Sequence, residues 1–186
     1  NLMVVSGLAF LIINLNLLDF YEMINQEGYA SAFNVVIIVS LGKFFSMSMG
    51  CLNNIISNSK YYSYVFWFSV SSAILAVILN YYFITSYGII GAAFATLIVI
   101  IFINICKIIL IYIVFKIHPY NNKSLSIVGS VFFIYWIIYF IPIILHPFIS
   151  ILLRSLLITV LFVIPLFRFR WSTDLEVIFK RIKNQF

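Results

Sequence analysis

Three cations inside apolar stretches are the residues whose types and positions could do chemistry here: Lys43, Lys107 and Arg154. An ionised side chain at membrane depth is costly, so it usually faces a cavity or a partner of opposite charge. No HxxxH, CxxC or GxSxG motif and no Gly-rich phosphate loop is present, and His118 and His146 sit beside prolines in connections. We therefore predict no catalytic residue, no metal site and no cofactor, and we do not expect an enzyme.

The composition places these cations in a membrane protein. Of the 186 residues, 65% are apolar and 9% are charged, whereas about 25% of a soluble domain is charged. This composition excludes a soluble domain and a disordered chain. A disulfide framework is excluded as well, since Cys51 and Cys106 both lie in apolar runs. In a membrane protein, the net charge of +6 is interpreted through the positions of the cations, which predict the orientation of the chain. We therefore expect no nucleic-acid partner.

Six apolar stretches are long enough to position the cations in membrane-spanning helices, which need about 20 residues each. A spanning β-barrel would show shorter, alternating segments, so the fold class predicted is an all-α membrane protein. Residues 1–170 would form the six-helix transmembrane bundle. The predicted spans run from Leu2 to Leu18, Tyr29 to Leu52, Tyr61 to Ile84, Gly88 to Phe115, Ser124 to Leu145, and Pro147 to Phe167.

The remaining cations predict the orientation, because Lys and Arg are retained on the cytoplasmic side. With a cytoplasmic N-terminus, the external loops carry no cation, and Asp19, Glu22 and Glu27 fall outside. No carboxylate then lies within a span. The internal connections and the tail carry the other eight cations: Lys60, Lys116, Lys123, Arg168, Arg170, Lys180, Arg181 and Lys183.

The three cations lie at different depths in this arrangement. Lys107 is at the cytoplasmic boundary, about 20 residues after the start of its span. Lys43 is about six residues short of its boundary, near 9 Å, and shares a small, polar helix face with Gly42, Ser46 and Gly50, as expected beside protein or a water-filled cavity. Arg154 is about seven residues inside the outer boundary, where it either snorkels or lines an outward-facing cavity.

Two further patterns concern packing and the tail. Small residues at four-residue spacing open the fourth span and predict close helix approach, while Pro142 predicts a kink in the fifth. Residues 171–186 predict a basic, amphipathic helix in the cytoplasmic interface, with Thr173 and Glu176 at capping-box spacing. A disordered basic tail is the alternative. The two small-residue rows are Gly88, Ala92, Thr96 and Gly91, Ala95.

The stretch LNYYFITSYGIIGAAFAT, residues 79–96, resembles a hallmark of the polysaccharide and O-antigen flippases. It has an Asn near the end of one span, a turn with Tyr-Gly, and Gly-x-x-Gly-Ala-Ala-x-Ala-Thr opening the next. The flanking segments GCLNNIISNSKYYSY and KIHPYNNKS resemble the adjoining cytoplasmic loops, so the likeness covers about residues 28 to 125. It departs from the pattern at Thr85 and Ser86, where a Pro commonly precedes the turn.

This resemblance implies one lobe of a two-lobe transporter of the multidrug, oligosaccharidyl-lipid and polysaccharide exporter superfamily. The implied partners are a lipid-linked oligosaccharide, membrane lipid and an N-terminal lobe preceding Asn1. The implied activity is flipping of an undecaprenyl-diphosphate-linked oligosaccharide across the bacterial inner membrane by alternating access. A pyrophosphate needs cations in the cavity wall, so Lys43, Arg154 and Lys107 become candidate substrate-binding residues.

Two alternatives stay open at this point. A drug or other small-molecule exporter of the same superfamily would be favoured if the N-terminal lobe placed carboxylates in the cavity. A carboxylate that binds a proton or sodium ion would come from that lobe or from Asp19, Glu22 and Glu27. A membrane-embedded glycan transferase or ligase would need a catalytic cluster in a large external loop. The external loops predicted here are short, which disfavours that class.

Overall fold

The structure is a computed structural model that describes residues 2–24, 32–118, 120–141 and 146–168. These residues form an all-α fold, without a strand in the described ranges. The tail of residues 171–186, Glu27 and the predicted kink at Pro142 lie outside them. The helices are α1 (Leu2–Ile24), α2 (Phe33–Ser48), α3 (Leu52–Ser57), α4 (Ser63–Phe115), α5 (Asn122–Tyr139) and α6 (Pro147–Arg168).

Four of these helices, α1, α4, α5 and α6, are long and apolar enough to cross a membrane. Large apolar side chains stay exposed along them, including Trp67, Trp136 and Leu156, which are 63%, 63% and 65% exposed. Water would not favour so much exposed apolar surface, but the hydrocarbon of a bilayer accepts it. The all-α part of the expectation is therefore confirmed, and the four long apolar helices are consistent with a membrane protein.

The chain divides into two compact units, and each is described by itself. One unit contains α1, α5 and α6, in which α5 packs closely on α6. Its core includes Phe162 and Ile158 of α6 together with Leu11 of α1, all at most 1% exposed. Asn121 caps α5 by accepting from the backbone N–H of Asn122, and its own N–H donates to the Ser124 hydroxyl.

The other unit contains α2, α3 and α4, and its longest element, α4, folds back on itself. Gly88 within α4 has φ 58° and ψ −136°, outside the helical region. A straight helix of 53 residues would be about 80 Å long, yet the rings of Tyr61 and Phe115 at its two ends have centroids 6.1 Å apart. Residues 63–87 and 89–115 are thus two antiparallel halves joined at Gly88, where the sequence predicts a connection between spans.

Glycines permit both the turn and the close packing in this unit. The left-handed φ at Gly88 strains any residue with a Cβ. A Cβ added to Gly91 would lie 2.0 Å from the carbonyl oxygen of Phe83, because the first half of α4 approaches so closely. Gly91 and Ala95 are buried, so one of the two predicted small-residue rows lies in a helix contact. Thr96, in the other row, is exposed.

The connection between α2 and α4 differs from the prediction of one span from Tyr29 to Leu52. Helix α2 ends at Ser48, Gly50 has a left-handed φ of 63°, and the six-residue α3 follows. Hydropathy does not report this break, because Met49, Cys51 and Leu52 continue the apolar run across it. Leu52 and Ile56 of α3 belong to a hydrophobic cluster with Met49 and Ile111, which explains the apolar character of the connection.

Candidate functional site

Arg154 lies in an ion pair inside the unit formed by α1, α5 and α6. Its Nη1 donates to Asp19 Oδ2 at 2.6 Å and to the backbone carbonyl of Leu15 at 2.8 Å. Ser150, one turn earlier in α6 and 1% exposed, donates its hydroxyl to the same carboxylate oxygen at 2.8 Å. The arginine and aspartate side chains are only 13% and 15% exposed. The positive charge of Arg154 is thus balanced within its own unit.

Helical spacing explains how both partners reach the pair. Leu15 and Asp19 are four residues apart on α1, and Ser150 and Arg154 are four apart on α6, so each pair shares one face. The carboxylate can take part because α1 continues to Ile24, six residues beyond the predicted end of the first span at Leu18. Asp19 therefore lies within a candidate spanning helix, which corrects the expectation that no span contains a carboxylate.

A second polar contact between α1 and α6 adjoins the ion pair. The Asn16 Nδ2 donates to the Ser155 hydroxyl at 3.0 Å and to the backbone carbonyl of Ile12 at 2.8 Å. Both protons of the amide are thereby used, so the side chain cannot be reversed without placing its oxygen against a carbonyl. Two buried atoms nearby, the acceptor Asn16 Oδ1 and the donor Arg154 Nε, have no hydrogen-bond partner in the described ranges of the chain.

Lys43 lies on α2, in the other unit, at the margin of a tight helix contact. The neighbouring Gly42 is buried, and a Cβ added there would lie 3.2 Å from Ile100 Cδ1 and 3.3 Å from Leu97 Cδ1 of α4. Lys43 is one residue and about 100° further around the helix, and its side chain is exposed. The predicted small, polar face is thus partly a packing surface, with the lysine beside it.

Lys107 lies in the second half of α4 and is half-buried. Four residues later, Ile111 is fully buried in the hydrophobic cluster with α3. Three residues earlier, Asn104 is 4% exposed and its Nδ2 has no hydrogen-bond partner within the described part of the chain. The lysine therefore borders a helix contact rather than standing alone on an apolar surface.

The structure brings only one of the three candidate cations to a charged partner among the residues it describes. Lys43 and Lys107 belong to one unit, on α2 and α4, and Arg154 belongs to the other. Sequence reasoning missed Ser150 and Asn16, and it placed Asp19 outside the spans rather than beside Arg154. The sequence did hold a usable signal. Asp19 comes directly after the predicted span end at Leu18. If the helix continues by one turn, Asp19 lies on the same face as Leu15, four residues earlier.

The described residues offer no group of three or more His, Cys, Asp or Glu side chains that could hold a metal ion. Cys51 and Cys106 are both free thiols. What the arrangement can do is balance charge and offer hydrogen bonds within a candidate membrane-spanning helix pair. Comparison with models of known families, with curated proteins and with solved structures gave no match.

Proposed function

We propose that this chain is one lobe of a membrane transporter that flips an undecaprenyl-diphosphate-linked oligosaccharide across the bacterial inner membrane by alternating access. Support comes from the resemblance of residues 79–96 to the flippases and from apolar helices that expose their side chains. In this proposal the chain crosses six times, once with α2 and once with each half of α4. Its N-terminal and C-terminal ends face the cytoplasm, and a second lobe completes the cavity.

The observation that carries the proposal is the exposed Lys43 on an apolar helix. A pyrophosphate carries several negative charges and binds best to cations that retain their charge and their free donors. Arg154 is balanced by Asp19, so it offers an anion less net charge than its type suggests. Lys43 is therefore assigned the main contact with the pyrophosphate, Lys107 a weaker one near the cytoplasmic end, and Arg154 a supporting one.

The test is export of lipid-linked oligosaccharide by cells whose gene for the complete protein carries single substitutions. Lys43→Ala removes a charge-assisted hydrogen bond worth about 1.5–3 kcal/mol, so export per molecule should fall roughly tenfold to a hundredfold. Lys107→Ala should cost less. Lys43→Arg should retain most activity, because it keeps the charge.

The matched control is Lys60→Ala, which removes a cation outside the helices whose ammonium lies 5.1 Å from the Tyr61 ring centroid. Export should be near that of the wild type. Equal, near-wild-type export by Lys43→Ala and Lys107→Ala would overturn the assignment. All comparisons require equal amounts of protein in the membrane, measured by immunoblot.

A further inference from the structure

Arg154 Nε and Asn16 Oδ1 are both buried and have no hydrogen-bond partner among the described residues. Arg154 Nη1 binds the carbonyl of Leu15, the residue preceding Asn16. Asn16 Nδ2 in turn binds the hydroxyl of Ser155, the residue following Arg154. These crossed contacts make Arg154 and Asn16 neighbours along the contact between α1 and α6.

One is a donor and the other an acceptor, and their chemistry is complementary to a single kind of ligand group. Leaving a buried polar atom unpaired costs about 1–3 kcal/mol, more for a charged group. In a helix contact surrounded by hydrocarbon, bulk water cannot remove this cost. A hydroxyl group can, because it accepts from one partner and donates to another.

We propose that Arg154 Nε and Asn16 Oδ1 form a binding site for one hydroxyl group. The hydroxyl oxygen accepts from the guanidinium, and its proton goes to the amide oxygen. Asp19 acts as the positioning residue, since it holds Nη1 and so fixes the plane of the guanidinium. An internal water typically makes about two to four hydrogen bonds, and these two atoms offer it one donor and one acceptor.

The hydroxyl can come from a bound water or from a sugar of the transported oligosaccharide. The site itself does not depend on the proposed function, but the sugar source does. A water belongs to the resting protein, whereas a sugar hydroxyl arrives only with substrate and would add to binding. The experiment therefore compares the protein with and without ligand.

The first measurement is an experimental structure of the complete protein in lipid nanodiscs, at a resolution that shows ordered water. Density within hydrogen-bond distance of both atoms is expected without substrate if the source is water, and only with undecaprenyl-diphosphate-linked oligosaccharide if the source is a sugar. Direct contact between the two atoms, or no density in either state, would overturn the proposal.

The second measurement compares two substitutions at this contact. Ser155→Ala removes the hydrogen bond from Asn16 and leaves both site atoms. Asn16→Leu removes that bond, the bond to the Ile12 carbonyl and the acceptor. The Ile12 carbonyl keeps its backbone partner within α1, so the loss of the second bond alone adds little. If a water occupies the site, Asn16→Leu should lower the melting temperature by at least about 2 °C more than Ser155→Ala. An empty site predicts the opposite order, because removing an unpaired acceptor stabilises.

For a sugar hydroxyl, the site is empty without ligand, so the variants should show the order of the empty site, with Asn16→Leu melting no lower than Ser155→Ala. Asn16→Leu should then need roughly tenfold more lipid-linked oligosaccharide for half of the stabilisation seen in the wild type. Undecaprenyl diphosphate without sugar should bind both variants equally. No difference in either condition would overturn the site. Failure of the wild type to respond to any of these lipids would instead overturn the proposed function and leave the water measurement standing.

Discussion

Breaking the Asp19–Arg154 pair is expected to destabilise the unit of α1, α5 and α6 strongly. Arg154→Gln removes the donor to Asp19 and to the Leu15 carbonyl. It leaves a carboxylate, 15% exposed, whose remaining hydrogen-bond donor among the described residues is the Ser150 hydroxyl. Loss of one partner of a buried ion pair costs about 3–5 kcal/mol. Asp19→Asn should cost somewhat less, about 3 kcal/mol, because Arg154 keeps its bond to Leu15.

The double variant Asp19→Asn, Arg154→Gln separates this mechanism from general damage to packing. It leaves neither charge unpaired, so its loss should be smaller than the sum of the single losses by at least about 2 kcal/mol. Ser150→Ala removes one hydrogen bond and should cost about 1–2 kcal/mol.

The assay is unfolding of the purified protein from bicelles by sodium dodecyl sulfate, followed by circular dichroism. Lys43→Ala serves as the control, because its exposed side chain makes no such contact with the part of the chain that the structure describes. Its removal should change the free energy of unfolding by less than about 0.5 kcal/mol. Single losses below about 1 kcal/mol, the value typical of exposed pairs, would refute the reasoning, as would strict additivity in the double variant.

The remaining predictions concern α4 and the glycines. Gly91→Ala should lower the free energy of unfolding by more than about 2 kcal/mol in the same assay, since its Cβ would meet the Phe83 carbonyl oxygen. Gly129→Ala, whose Cβ would have nothing within 4 Å, should raise the free energy of unfolding by up to about 1 kcal/mol. Equal effects of the two substitutions would contradict the packing of α4. Gly88→Ala should cost about 1–2 kcal/mol through its left-handed φ alone, and a neutral result would argue against the turn. With Cys51 and Cys106 replaced by Ser, cysteines at Ser59 and His118 should be labelled from one side of the membrane and a cysteine at Ser86 from the other; labelling of all three from one side would refute two crossings by α4.

Hydropathy was sufficient to predict the helices and much of their order, because a long apolar run in a bilayer has no alternative to helix. It also predicted the break at Gly88, where Tyr-Gly interrupts the run. It failed at the break between α2 and α3, since Gly50 ends a helix there without a change of polarity. A helix end set by one backbone conformation leaves no trace in composition.

The candidate site was predictable in part. Residue type and predicted depth identified Lys43, Lys107 and Arg154 as candidate binding residues. The partner of Arg154, however, depends on how far α1 continues and on which face of α1 packs against α6. Both are settled by packing between segments more than 130 residues apart in sequence. No local pattern carries that information, so the sequence places Asp19 in a loop and indicates no partner for Arg154.

The most direct test of the central claim is flipping by the purified complete protein in proteoliposomes. Undecaprenyl-diphosphate-linked oligosaccharide is placed in one leaflet, and its appearance in the other is followed by a glycosidase that cannot cross the bilayer. The wild type should move the lipid, Lys43→Ala should do so roughly tenfold to a hundredfold more slowly, and Lys60→Ala should match the wild type. Wild-type vesicles that move the lipid no faster than protein-free vesicles would contradict the account.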